Sequence, residues 1–179
     1  MREFIFSLWE VVEVIIIALA MVFVMRSFIV QPFLVSGSSM LHTFLDGDYV
    51  LVDELTYRFK EPERGDIIVF RFPLSPNIYY IKRIIGVRGD RVVVSSGEVK
   101  INDKKIKEDY LDKGMYTNGK SDAFVGDDQI FVMGDNRTGS SDSRIWGLVP
   151  YENIIGVVRL RLLPLNNAGI FDRPTYNLE

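Results

Sequence analysis

The sequence predicts a mainly β domain, built as a barrel or as paired sheets, behind a single N-terminal membrane-spanning helix. Three observations predict it. Val11 to Ile29 is a nearly unbroken apolar run; beyond Gln31-Pro32 the chain breaks into short β-rich stretches separated by Gly, Pro, Asn and Asp; and no amphipathic helix of ordinary length falls among them. The chain has 179 residues, 47% of them apolar, and a mean hydropathy of +0.11, which suits one folded domain and excludes a disordered chain. The division this predicts is a stub and anchor over residues 1–30 and a folded domain over 31–179.

The apolar run VVEVIIIALAMVFVMRSFI is broken only by Glu13, Arg26 and Ser27. At about 1.5 Å per residue its length approaches the roughly 30 Å hydrocarbon core of a bilayer. Glu13 and Arg26 stand near opposite ends, where long side chains reach the headgroups, and Trp9 suits the interface. A cleavable signal peptide is the first rival, because Ala18-Leu19-Ala20 has the small-x-small form of a cleavage site. Against it, the apolar run continues through Met25, and Glu10 and Glu13 spoil a basic amino-terminal region. A buried core helix is the second rival and is disfavoured by the length. Charge alone leaves the orientation open, since Arg2 is offset by Glu3 and Glu10.

After Pro32 ends the helix, strands are expected at Tyr49 to Val52, Asp66 to Phe70, Tyr79 to Val87, Arg91 to Val94, Glu98 to Ile101, Ile130 to Met133 and Ile154 to Leu163. Residues from about 100 to 126 are polar and rich in turn formers, and are expected to form a surface excursion giving little to a core. This pattern fits an all-β architecture rather than alternating β and α.

Composition excludes several functions. Twenty-one Lys and Arg against 24 Asp and Glu give a net charge of -3, so there is no basic field to hold nucleic acid. No cysteine means no disulfide, thiolate metal site, iron–sulfur cluster or cysteine nucleophile, and the one histidine, His42, cannot supply a two-histidine metal motif. Neither a metal nor another cofactor is expected. GMYTNGKS at Gly114 to Ser121 satisfies the phosphate-loop pattern, but neither a buried strand before it nor a helix after it is predicted, so no nucleotide is expected. Asn136-Arg137-Thr138 fits a glycosylation sequon, a pattern short enough to arise by chance.

The chemistry concentrates in three segments. Ser36-Gly37-Ser38-Ser39-Met40 allows a tight exposed turn, although on its own an ordinary Ser/Gly loop is the simpler reading. A serine nucleophile needs a base. The G-x-S-x-G elbow is absent, no serine has a lysine three positions on, and His42 has no assigned carboxylate partner, which leaves a distant lysine. Lys82 in IYYIKRIIGV fits, flanked on its own strand face by Tyr80 and Ile84. Apolar walls can lower a lysine by the roughly 2 units that a base near neutrality requires. The strand alone does not separate this from a solvent-facing lysine. Gly134-Asp135-Asn136-Arg137, followed by Ser140, Asp142, Ser143, Arg144 and Trp146-Gly147, crowds polar groups into a turn after a strong strand.

Taken together, the anchor, QPFLVSGSSM with GDYVLV, RGDIIVF, YIKRIIGVRGD, and MGDNR with SSDSRIWGLVP resemble the bacterial type I signal peptidases, the membrane-bound serine proteases that remove signal peptides from exported proteins. The blocks span most of the chain in the family's order, and the short single-anchor form looks most like the Gram-positive branch. The resemblance implies a Ser-Lys dyad, with Ser39 as nucleophile and Lys82 as general base. It implies that Ser140 orients the lysine, that Asp142 and Arg144 form a structural pair, and that the Ser39 amide stabilises the oxyanion. Gly37 stands where many relatives place a hydroxyl donor, leaving a backbone amide or the hydroxyl of Ser36 or Ser38 to serve. Family positions lining the pockets for small residues match Phe33, Val35, Met40, Phe44, Val50, Val69, Tyr80 and Ile81.

The implied partners are the signal peptides of exported preproteins and membrane lipid. The implied location is the cell membrane, crossed once, with the N-terminus cytoplasmic and the catalytic domain outside. Two departures stand out: Thr138-Gly139 replaces a more polar pair, and His42 replaces a usual proline, which is expected to be accommodated there. The alternative reading is an inactive membrane-anchored β protein that binds signal peptides or a partner.

Overall fold

The computed structural model describes residues 2–28, 30–171, 173–174 and 176; within the first helix it describes the side chains of residues 9–23. Helix α1 (Arg2–Phe28) is 27 residues long and free of Gly and Pro, and its described side chains are all exposed. Among the described residues no helix is long and apolar enough to cross a membrane. The expected span from Val11 to Ile29 falls on this helix, with residue 29 and the side chains of 24–28 outside the described part, and the described residues by themselves do not form a membrane span.

The domain that follows is β throughout. Strands β1 (Val30–Leu34), β2 (Tyr49–Asp53), β3 (Ile67–Phe72) and β4 (Ser75–Gly86) come first, with the single turn α2 (Thr56–Phe59) between β2 and β3. Then come β5 (Arg91–Ser95), β6 (Glu98–Ile101), β7 (Lys104–Lys105), β8 (Ser121–Phe124) and β9 (Gln129–Met133). The short helix α3 (Ser143–Trp146), β10 (Val149–Pro150), β11 (Ile154–Leu163) and β12 (Gly169–Ile170) complete the chain. Every pairing is antiparallel. The larger sheet runs β1-β2-β11-β3-β4-β9-β10 with β12 added to β11, and the smaller runs β7-β6-β5-β8. Both sheets are open at their ends, so the paired-sheet expectation describes the fold and the closed barrel does not.

Strand β1 was not among the expected strands because it contains Pro32. Its position at the sheet edge explains how the proline is tolerated, since an edge strand leaves one side of its backbone unpaired. β4 is the organising strand. Its twelve residues pair with β3 and β9, and its side chains enter three apolar clusters. Ile81 packs against the cluster of Val35, Met40, Phe44, Val50, Val69 and Val158; Ile84 belongs with Ile68, Phe70 and Val132; Ile85 belongs with Val92, Val94, Phe131 and Met133 between the sheets.

The polar excursion contributes more to the core than its composition suggests. Ile106 and Val125 are buried with Ile85 between the sheets, because β7 and β8 extend the smaller sheet and bring these isolated apolar residues onto its inner face. The GMYTNGKS stretch leads into β8, and not into a helix.

Candidate active site

The chain leaves β1 and makes two successive turns that present the serines. Leu41 N donates to Ser38 O at 3.1 Å, and Thr43 N donates to Met40 O at 3.0 Å. Gly37, at φ +94°, supplies the left-handed backbone that starts this loop, and its amide donates to Asp46 Oδ1 at 2.7 Å. Below the turns, Met40 and Phe44 are buried in the apolar cluster under β1 and β2, which fixes the loop from beneath.

Across from this loop, β3–β4 pairing sets Lys82 opposite Ile68, pointing toward Ser39. Lys82 Nζ lies 2.7 Å from Ser39 Oγ and donates to Ile81 O at 3.0 Å. Only 3% of Lys82 is exposed, and its ammonium sits 5.1 Å from the Tyr80 ring centroid. Burial pushes Lys82 down to about 8, against the Asp142 and Asp135 carboxylates, which pull it back up.

A cavity of about 290 Å³ opens beside Ser39 and Lys82. Phe33, Val35, Val50, Val69, Tyr80 and Ile81, six of the eight pocket positions expected from the sequence, line it together with Ser36, Gly37 and Ser38. Met40 and Phe44 do not. They lie one layer down, in the core, because the turn that exposes Ser39 points the next side chain inward.

The third segment closes the site from the far side. Asp142 receives Arg144 through two hydrogen bonds of 2.7 Å and also accepts from Gly134 N at 3.0 Å, so the expected pair cinches the loop from residue 134 to 144. Ser140 differs from expectation. Its Oγ is buried with no hydrogen-bond partner among the described residues, while Lys82 Nζ bonds Ser39 and Ile81 instead. Ser140 packs against Gly134, where an added Cβ would overlap both Ser140 Oγ and the Ser39 carbonyl oxygen.

Sequence reasoning missed the buried ion pairs behind the site. Arg83 reaches Asp135 through Nε at 2.9 Å and Nη2 at 2.7 Å, and the Thr43 hydroxyl donates to the same carboxylate. Arg137, fully buried, donates to Glu108 of the excursion, at 2.7 Å for Nη1, and to Thr117 at 3.0 Å. The one available signal was arginines in otherwise apolar or tightly turning stretches, which must find acidic partners when buried. His42 also departs from expectation. Its φ of +83° lies in the left-handed region, which proline cannot adopt, and its Nδ1 pairs with Asp112 Oδ2 at 2.8 Å. Among the described residues no group of three or more His, Cys, Asp or Glu is arranged to hold a metal ion.

Such an arrangement, a half-buried serine against a desolvated lysine at the end of an apolar cleft, can carry out acyl transfer. The family match agrees with this chemistry. Residues 8–163 match the family described as signal peptidase, peptidase S26. A probable signal peptidase I-1 of Synechocystis sp. is 36% identical over 167 residues, 89% of this chain and 85% of that protein. The signal peptidase I of Bacillus amyloliquefaciens is 36% identical over 169 residues, 89% of this chain and 87% of that protein. A crystal structure of a signal peptidase I from Enterococcus faecalis V583 is 31% identical, with a TM-score of 0.48 over 55% of this chain and 97% of that one.

Proposed function

The chain belongs to the signal peptidase family, peptidase S26, and from that membership we propose that it is a membrane-bound endopeptidase in which a Ser39–Lys82 dyad removes signal peptides from exported preproteins. The observation that carries the dyad is the 2.7 Å approach of a 3% exposed lysine to Ser39 Oγ. With Lys82 near 8, about one lysine in ten is neutral at pH 7 and free to act as a base.

Neutral Lys82 takes the Ser39 proton as Oγ bonds to the scissile carbonyl carbon, and the carbonyl electron pair moves onto oxygen. The Ser39 amide, which donates to no group among the described residues, supports the proposal that it receives this oxyanion. As the oxyanion collapses, the C–N bond breaks and the lysine's proton passes to the departing amine. Lys82, neutral again, deprotonates the water that cleaves the acyl ester. Six bulky apolar side chains around a cavity of about 290 Å³ support a preference for small residues on both sides of the position that points away, the small-x-small motif.

The anchor is part of the proposal. α1 is 27 residues of mostly apolar sequence, and the nucleophile follows its end after about ten residues. A single crossing with the N-terminus cytoplasmic would present Ser39 at the outer surface, where the cleavage region of a translocated precursor emerges. The test is incubation of the purified protein with a precursor, followed by N-terminal sequencing of the product. Cleavage after a small-x-small tripeptide is the expected result; an intact precursor would favour the inactive binding reading.

A further inference from the structure

Beyond the dyad, the loop from residue 134 to 144 contains a side chain that the mechanism does not use and that grips the nucleophile's backbone. Asn136 holds two successive carbonyls: its backbone N–H donates to Ser39 O at 3.0 Å, and its Nδ2 donates to Ser38 O at 3.0 Å. The amide's own orientation is fixed. Its Oδ1 accepts from Gly139 N at 3.1 Å and from Thr138 Oγ1 at 3.3 Å, so the nitrogen end must face Ser38. Room for that nitrogen comes from the bare α-carbon of Gly139, because a Cβ there would crowd Asn136 Nδ2.

The consequence follows from peptide geometry. The Ser38–Ser39 peptide is planar and trans, so its C=O and N–H point in opposite directions. Holding Ser38 O on Asn136 therefore turns the Ser39 N–H away from Asn136, at a residue that lines the cavity. A second donor, Leu41 N at 3.1 Å, shares Ser38 O and closes the turn, but it belongs to the same short loop and moves with it. Asn136 fastens the peptide to a different part of the fold.

We propose that Asn136 is a positioning residue that aims the Ser39 amide at the developing oxyanion, an inference that rests on the reading of Ser39 as nucleophile. The donor matters only when negative charge forms on the substrate oxygen, so its loss weakens the transition state and leaves the bound substrate unaffected.

The experiment compares wild type with Asn136→Asp and Asn136→Ala on one precursor. Asn136→Asp keeps the acceptors for Gly139 and Thr138 and turns the Nδ2 donor into an oxygen that repels Ser38 O. Asn136→Ala removes the donor without adding charge near Lys82. Both variants are expected to melt like wild type and to lose about tenfold or more in kcat, with KM nearly unchanged. Affinity for a peptide aldehyde ending in alanine should fall in step with kcat. In that adduct Ser39 Oγ bonds the aldehyde carbon, its proton passes to Lys82, and the carbonyl pair becomes an oxyanion. The matching peptide alcohol, which forms no adduct, should bind equally to all three proteins. The pH midpoint of Asn136→Ala should match that of wild type, excluding an effect through the lysine. Folded variants with wild-type kcat and aldehyde affinity would overturn the inference, as would a loss confined to KM. If wild type itself left the precursor intact, the failure would lie with the nucleophile reading.

Discussion

Arg83 and Asp135 meet side-on through two parallel hydrogen bonds of 2.9 and 2.7 Å, both nearly sealed from solvent. Arg83 follows Lys82 on β4, and Asp135 precedes Asn136 on the loop that bonds the Ser38 and Ser39 carbonyls, so the pair joins the strand of the proposed base to the loop that holds the proposed nucleophile. Removing one partner strands a buried charge, which typically costs about 3 to 5 kcal/mol. Asp135→Ala should lower stability by that amount in urea unfolding, and an Arg83→Met/Asp135→Leu double variant should recover much of the loss. A single-variant loss below about 1 kcal/mol would show that the pair does not hold the fold.

Lys82 makes both activity and stability depend on pH. The cleavage rate should climb through a midpoint near 8 as the lysine loses its proton. For stability the shift acts in the opposite sense to an ordinary ion pair. The folded lysine holds its proton less tightly than the unfolded one, so between about 8 and 10.5 the unfolded chain binds more protons and stability rises with pH. Below 8 the fold must bury the charged ammonium in full. Lys82→Met should therefore be inactive yet more stable than wild type at pH 7, by about 3 kcal/mol, with the gain shrinking from pH 8 upward. Equal stability of the two proteins at pH 7 would contradict this account.

At Gly134 the loop packs tightly against Ser39, the proposed nucleophile. A Cβ there would overlap the Ser39 carbonyl oxygen and Ser140 Oγ together, and neither is the free end of a flexible chain. Gly134→Ala should push the nucleophile turn out of register and reduce kcat by about a hundredfold or more, because small misplacements of reacting groups are expensive. Steady-state kinetics on the folded variant, with circular dichroism as the control, checks it. Near-normal turnover would mean that the loop can move aside.

Runs of β-branched and apolar residues bounded by turn formers were legible: β2, β3, β4, β5, β6, β9 and β11 fall within a few residues of the expected runs. The two-residue strands β7, β10 and β12 were not, because pairing so brief leaves no pattern. β8, read as part of a polar loop, alternates half-buried and exposed residues with too little apolar character to stand out. The approach of Ser39 to Lys82 was anticipated across 43 positions through the family's motifs, and no local periodicity could have supplied it. Arg83–Asp135 and Arg137–Glu108 stayed hidden for the same reason: an ion pair 52 or 29 residues apart leaves no mark on either segment. Met40 and Phe44 show a different limit. Apolar residues beside a nucleophile read alike whether they face the cleft or the core, and only the turn's geometry separates them.

The same turn decides what His42 tolerates. His42 is the third residue of the Met40–Thr43 turn, at φ +83°, where glycine or asparagine is the residue of choice. Proline is locked near -65° and would break this turn directly behind Ser39. His42→Pro should therefore lose both stability and turnover, contrary to what the family's usual proline suggests. His42→Gly makes the complementary test. It relieves a left-handed strain of about 1 to 2 kcal/mol but adds conformational entropy to the unfolded chain and forfeits the His42–Asp112 pair, which is solvent-exposed enough to contribute only about 0 to 1 kcal/mol. Those effects nearly cancel, so His42→Gly should unfold within about 1 kcal/mol of wild type and retain activity. Asp112→Ala should cost less than about 1 kcal/mol. A His42→Pro protein that melted and cleaved like wild type would mean that the turn adopts another conformation in solution.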